Sequence, residues 1–91
     1  MKFTWNWLKA EVNRDKHGIS FDEAKSCFND RHQVAFHDPD HSDDEDRELL
    51  IAHSNIGRLL LVSYTVRASS IRIISARRAT QREAKTYAQG I

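Results

Sequence analysis

The sequence predicts an α+β domain: two N-terminal helices, an antiparallel sheet of three to four strands, and a C-terminal helix. Three observations carry that expectation. Two capping boxes, Ser20-Phe21-Asp22-Glu23 and Thr80-Gln81-Arg82-Glu83, mark helix starts, because a hydroxyl and a Glu three residues later satisfy free first-turn amides. Between these boxes the apolar residues alternate or run continuously between short polar turns, which is a strand signature. The connections are of hairpin length, and helices are segregated from strands along the chain.

Phe3-Thr4-Trp5 suits a short edge strand, and Asn6 an N-cap for a helix over about 7–17. Leu8 and Val12 share a face of that helix. Lys16-His17 followed by Gly18 reads as its end, with cations in the last turn and a residue that tolerates left-handed geometry after it. The first capping box opens a helix to about Asn29, with Phe21, Ala24, Cys27 and Phe28 as its apolar face. Strands follow at 31–37 and 47–53, separated by the polar turn DPDHSDDED over 38–46. Asn55-Ile56-Gly57 makes a tight turn into the most apolar strand, 59–66, expected at the sheet centre. After a turn at Arg67-Ala68-Ser69-Ser70, residues 71–75 form the last strand, and the second box opens a helix to about Gln89 with Gly90 past its end.

Ninety-one residues make one domain, spanning 1–91, with a small core. The single cysteine, Cys27, allows no internal disulfide, which fits a reducing compartment such as the cytoplasm. Residues 1–8 have no signal-peptide core, and no apolar run approaches the roughly 20 residues a spanning helix needs.

The net charge of +1 conceals a split. Residues 1–46 hold six Lys/Arg against eleven Asp/Glu, a balance of −5, and residues 47–91 hold eight against two, a balance of +6. Seven of those eight cations are Arg: Arg47, Arg58, Arg67, Arg72, Arg77, Arg78 and Arg82. The planar guanidinium matches phosphate oxygens and stays charged, so a polyanion such as RNA or DNA is the first candidate ligand. For any one of these residues, a solvated face or a contact to a partner protein is the alternative.

The run IRIISARRATQRE over 71–83 closely resembles the BrnT family of type II toxins, as do KHGISFDEA over 16–24, DPDHSDDEDRELLIA over 38–52 and GRLLLVSYT over 57–65. These segments occur in the family's order and cover most of the chain. The resemblance implies a RelE-like domain that cleaves RNA and stops translation. It also implies a BrnA-like antitoxin with a ribbon-helix-helix part, joined as two toxins with two antitoxins, which alone brings the complex to operator DNA. The sequence departs from the family where Glu-Arg-Gly is usual after the central strand: Val66-Arg67-Ala68 lacks the acid and the turn glycine. Asp46 stands where Glu is more usual.

RNA cleavage without a metal needs a group to take or orient the 2′-OH proton, cations for the phosphorane oxygens, and an acid for the leaving 5′-oxygen. Arg67 and Arg77 are candidates for the cationic role. The Tyr64–Ser75 hairpin, however, places Arg67 near its turn and Arg77 at the opposite end. Tyr64 is a candidate for orienting a hydroxyl or stacking on a base, with a core or half-buried strand tyrosine as the alternative. His41, protonated among the carboxylates of the acidic turn, is a candidate general acid with Glu45 as partner. Arg47, Arg58, Arg72, Arg78 and Arg82 are candidate RNA contacts. Tyr87 joins them because RelE-like toxins often place a working aromatic on the last helix, with the packing of an amphipathic helix on the sheet as the alternative.

No cofactor is expected. Ser42 and Asp43 break an EF-hand pattern in the acidic turn, and one Cys with scattered His gives no zinc spacing. The leading expectation is therefore a metal-independent endoribonuclease toxin. A catalytically decayed homologue that binds antitoxin as a co-repressor is the second reading, favoured by Val66 where a carboxylate is usual.

Overall fold

A computed structural model describes residues 1–41 and 46–90, with His41 described by its backbone alone. The elements are β1 (Lys2–Thr4), α1 (Trp7–His17), α2 (Phe21–Ser26), β2 (Val34–Asp38), β3 (Arg47–His53), β4 (Leu59–Arg67), β5 (Ser70–Arg78) and α3 (Gln81–Gln89). Short 3-10 turns follow α2 at Cys27–Asn29 and β2 at Pro39–His41.

The fold is α+β, but the sheet has five strands rather than three to four, in the order β1-β5-β4-β3-β2. It is also mixed rather than antiparallel. The N-terminal strand pairs parallel with β5, Lys2 opposite Ser70 and Thr4 opposite Arg72, so a strand precedes the two helices. The apolar β4 is central, as its composition requires.

Local chemistry sets the helix ends. Asn6 Oδ1 accepts from the Leu8 amide at 2.9 Å, and Gly18 closes α1 at φ +69°. The Ser20 box is only half made: Ser20 Oγ accepts from the Glu23 amide at 3.1 Å, but the Glu23 carboxylate accepts from Ser54 Oγ at 2.7 Å and from Arg58 Nε at 2.9 Å. The second box is complete. The strand expected over 31–37 starts three residues late, because the Gln33 side chain folds back on the Phe28 and Asp30 carbonyls at 2.9 and 3.0 Å. The last strand runs three residues longer than expected, to Arg78.

One face of the sheet carries Leu50, Ala52, Leu60, Val62, Tyr64, Ile71, Ile73 and Ala76, packed with Ile19, Phe21, Ala24 and Cys27. Edge-to-face rings extend this core from Phe3 through Phe28 to Tyr64, each pair at 5.0 Å. Burial pushes the Cys27 thiol up to about 12, so it sits in the core as a neutral group. α3 lies against β3. No described helix is long and apolar enough to cross a membrane.

Two backbone details set β5 apart from the other strands. First, β1 covers it only at Ser70–Arg72. Further along, Asn13 of α1 takes the place of a neighbouring strand: its Oδ1 accepts from the Ala76 amide at 3.0 Å, and its Nδ2 donates to the Ala76 carbonyl at 2.9 Å. The same Nδ2 donates to the Ile19 carbonyl at 2.9 Å. Second, β5 carries an extra residue, since Tyr64 pairs with Ile73 but Ser63 with Ser75, leaving Ile74 out of register.

The β4–β5 turn holds Ala68 at φ +47°, the one non-glycine with positive φ among the described residues. A side chain there is strained, at a cost of about 1 kcal/mol. Ala68→Gly is expected to stabilise the protein by about 0.5–1 kcal/mol, read from the urea midpoint at unchanged slope. A lower midpoint contradicts this.

Candidate active site

The sheet face opposite the core opens into a cleft of about 600 Å³. The C-terminal turn of α1 brings Lys16 and His17 to it, β2 and its turn Phe36, Asp38 and Asp40, and β3 Arg47 and Leu49. Leu61 and Ser63 of β4, Ser75 and Arg77 of β5, and Glu83 of α3 complete its walls. Strand alternation explains the set: Leu61 and Ser63 lie between the core residues Leu60, Val62 and Tyr64, and so face the other way.

Its most ordered feature is a two-pronged pair. Arg77 Nη1 donates to Glu83 Oε1 at 2.9 Å and Nη2 to Oε2 at 2.8 Å. Glu83 Oε1 also accepts from the Thr80 amide at 2.9 Å, so one carboxylate caps α3 and fixes the arginine. Burial pushes the Glu83 carboxyl up, but the Arg77 guanidinium and the Thr80 groups outweigh it and hold the carboxyl below its ordinary range. Glu83 is thus ionised at neutral pH and a weak proton acceptor. Glu83 in turn pushes Arg77 up, so its charge is permanent. Arg77 also bonds the Arg78 carbonyl at 3.1 Å, and these three bonds do not exhaust the five donors of a guanidinium. Its side chain is 38 % exposed, within reach of a ligand.

The cleft holds Lys16, Arg47 and Arg77 beside His17, balanced in number by the carboxylates of Asp38, Asp40 and Glu83. Its individual cations can therefore meet an anion held against the sheet, but it carries no excess of fixed positive charge. An imidazole is also the side-chain type that both gives and takes a proton near neutrality.

Not every expected site residue lies here. Arg67 pairs with Ser70 at the far end of the hairpin and Arg77 with Leu61, so about 20 Å of strand separates them. By alternation Arg67 shares the cleft's face of the sheet, beyond its lining. Tyr64, expected to orient a hydroxyl or stack on a base, is turned into the core: it is 8 % exposed, and burial followed by the Glu48 charge pushes its hydroxyl up. Arg58, expected at RNA, is bound to the buried Glu23 through Nε and Nη2 along one guanidinium edge, and its Nη2 also donates to the Gly18 carbonyl at 3.2 Å. That guanidinium, with Ser54, draws the Glu23 carboxyl below its ordinary range against the effect of burial.

Tyr87 is also engaged elsewhere. Its hydroxyl donates to Asp30 at 2.7 Å and lies 3.1 Å from His53 Nδ1, tying α3 to the sheet. Burial, then Asp30, push the Tyr87 hydroxyl up to about 12. Arg72 and Arg78 stand on β5 and Arg82 on α3, outside the cleft lining, whereas Arg47 lines it. Glu45 and the His41 side chain lie outside the described residues.

The sequence and the fold have known relatives. The family model for the ribonuclease toxin BrnT of type II toxin-antitoxin systems matches residues 5–83. The chain belongs to the BrnT family. The 1.1 Å crystal structure of the Brucella abortus ribonuclease toxin BrnT is similar, with a TM-score of 0.65 and 26 % identity over 89 % of this chain and 99 % of that one. Comparison with curated proteins finds no match.

In this BrnT-family chain, sequence reasoning missed Lys16, His17, Asp40, Ser63, Ser75 and Glu83 as cleft residues. Lys16-His17 reads equally well as a helix end, and Glu83 as half of a capping box. A signal did exist, because both lie in segments that carry the family likeness.

Proposed function

We propose that this BrnT-family protein is a metal-independent endoribonuclease that inhibits translation in the cytoplasm. A BrnA-like ribbon-helix-helix antitoxin restrains it, two toxins joining two antitoxins, and the toxin meets operator DNA only through that partner. The observation that carries the reading is the fixed Arg77–Glu83 pair in a cleft that also holds Lys16, His17 and Arg47.

In this mechanism a scissile phosphate lies over Ser63 and Ser75. The 2′-hydroxyl gives its proton to solvent water as its oxygen attacks phosphorus, the bond to the 5′-oxygen breaks, and the products carry a 2′,3′-cyclic phosphate and a 5′-hydroxyl. Arg77, Lys16 and Arg47 stabilise the charge that builds on the phosphorane oxygens. His17 delivers a proton to the leaving 5′-oxygen. Glu83 holds the guanidinium in place, so its charge needs no reorganisation during the reaction. Arg67, Arg72, Arg78 and Arg82 contact the RNA backbone outside the cleft.

The second reading, a decayed homologue kept as a co-repressor, rests on Val66. That residue is 57 % exposed and does not line the cleft, so its apolar character leaves the cleft's charges intact. This supports the active reading.

The test is incubation of purified, antitoxin-free protein with RNA, in the presence and absence of EDTA. Fragments ending in 2′,3′-cyclic phosphate are expected in both. Intact RNA, together with harmless overexpression and tight antitoxin binding, selects the decayed homologue. Cleavage abolished by EDTA overturns the metal-independent mechanism.

A further inference from the structure

α1 presents apolar side chains that nothing in the fold covers. Trp7 is 70 % exposed, Leu8 57 % and Val12 62 %, on a single helix. Leu8, Val12 and Lys16 follow one another at four-residue intervals, and that stripe forms one wall of a groove of about 310 Å³. Ile74 forms part of the facing wall. It is the residue that the β5 bulge leaves out of register, so an irregularity in the sheet supplies an apolar floor to a helical groove.

Charge says what the groove accepts. Lys9, Lys16 and His17 line it, and no Asp or Glu does among the described residues. Glu11 and Asp15 of the same helix fall outside its lining. An apolar floor between cations fits an amphipathic helix that brings two apolar side chains one turn apart, flanked by carboxylates. The groove is also continuous with the cleft: Lys16, His17 and Ser75 line both. A helix seated in it sets its acidic flank against Lys16, assigned above to the RNA phosphate, and His17, assigned to the leaving oxygen.

We propose that the groove between α1 and Ile74 is the docking site for an acidic amphipathic helix of the antitoxin, which neutralises the toxin by occupying the cleft's Lys16 and His17. The inhibitory consequence rests on the ribonuclease reading above, whereas the docking itself does not.

The probe is a synthetic amphipathic helix with two Leu one turn apart, flanked by Glu, compared with the same peptide flanked by Lys. Each is titrated into the full-length isotope-labelled protein and followed by amide chemical shifts. The Glu-flanked peptide is expected to move resonances of α1 and of Ile74 and Ser75, and to bind better than its Lys-flanked counterpart. The double variant Leu8→Glu/Val12→Glu, altered at exposed positions outside the cleft, is expected to weaken binding about thirtyfold or more. Lys9→Glu is expected to reduce the preference between the peptides.

Shifts confined to the β2 edge, equal binding of both peptides, or no binding by the wild type overturn the proposal. So does a peptide-free dimer in sedimentation that Val12→Glu dissociates, since a second copy of the chain is then the occupant. RNA cleavage is measured separately on the same samples. An inactive wild type that binds the peptide at α1 refutes the ribonuclease reading alone, and an active one that ignores it refutes the docking site alone.

Discussion

Arg77→Ala is expected to lower the rate of RNA cleavage about 100-fold, the usual consequence of removing one preorganised donor from a developing oxyanion. The loss should fall on kcat, because Arg77 sits where charge accumulates rather than along the flanking RNA. Arg77→Lys should not restore activity, since an ammonium cannot hold the two-pronged contact to Glu83 and a phosphate together. Arg67→Ala makes the informative contrast. At about 20 Å along the strand it should cost no more than about tenfold, expressed in KM and in a shallower salt dependence. The measurement is steady-state cleavage of one labelled RNA at two ionic strengths. Equal kcat losses at both positions contradict the assignment of the scissile phosphate to the Arg77 end.

Asn13→Ala is expected to destabilise the protein by about 3 kcal/mol. Asn13 is 6 % exposed, and its amide satisfies the Ala76 N–H together with the Ala76 and Ile19 carbonyls. Truncation leaves all three backbone groups without that partner, at about 1 kcal/mol or more each. Asn13→Asp should be at least as harmful, because it turns an oxygen toward two carbonyls. Urea denaturation at neutral pH measures both. A loss under about 1 kcal/mol for Asn13→Ala shows that other groups or water take over the exposed contacts. Because Asn13 also anchors the turn carrying Lys16 and His17, cleavage should fall in the surviving folded fraction as well.

Much of the fold was legible because its signals are local. Asn6 and Gly18 bound α1, Asn55-Ile56-Gly57 set the β3–β4 turn, and the Thr80 box started α3. The parallel pairing of β1 was not legible, since Phe3-Thr4 has no hairpin partner and periodicity does not name a neighbour. The side on which Tyr64 lies was legible, since Leu60, Val62, Tyr64 and Val66 make the wholly apolar face of β4 while Ser63, Thr65 and Arg67 share the other face with Leu61. In the cleft, the value of Arg as a phosphate ligand was readable from composition. Lys16 and His17 were not distinguishable from ordinary helix-end cations, because a helix dipole and a phosphate call for the same charge. Arg58 shows the converse: its partner, Glu23, is 35 residues away, and only the fold brings them together.

The sheet has a consequence for synthesis. Lys2 pairs with Ser70, and Asn13 reaches 63 residues forward to Ala76, so the two ends of the chain complete one another. Pairings this distant form late in folding, after the intervening loops have closed. Lys16 and His17 are translated early and Arg77 and Glu83 near the end, so a nascent or truncated chain holds only half of the cleft. Under the proposed ribonuclease mechanism, a growing copy of this protein cannot assemble its cleavage site until the last strand and helix have emerged from the ribosome.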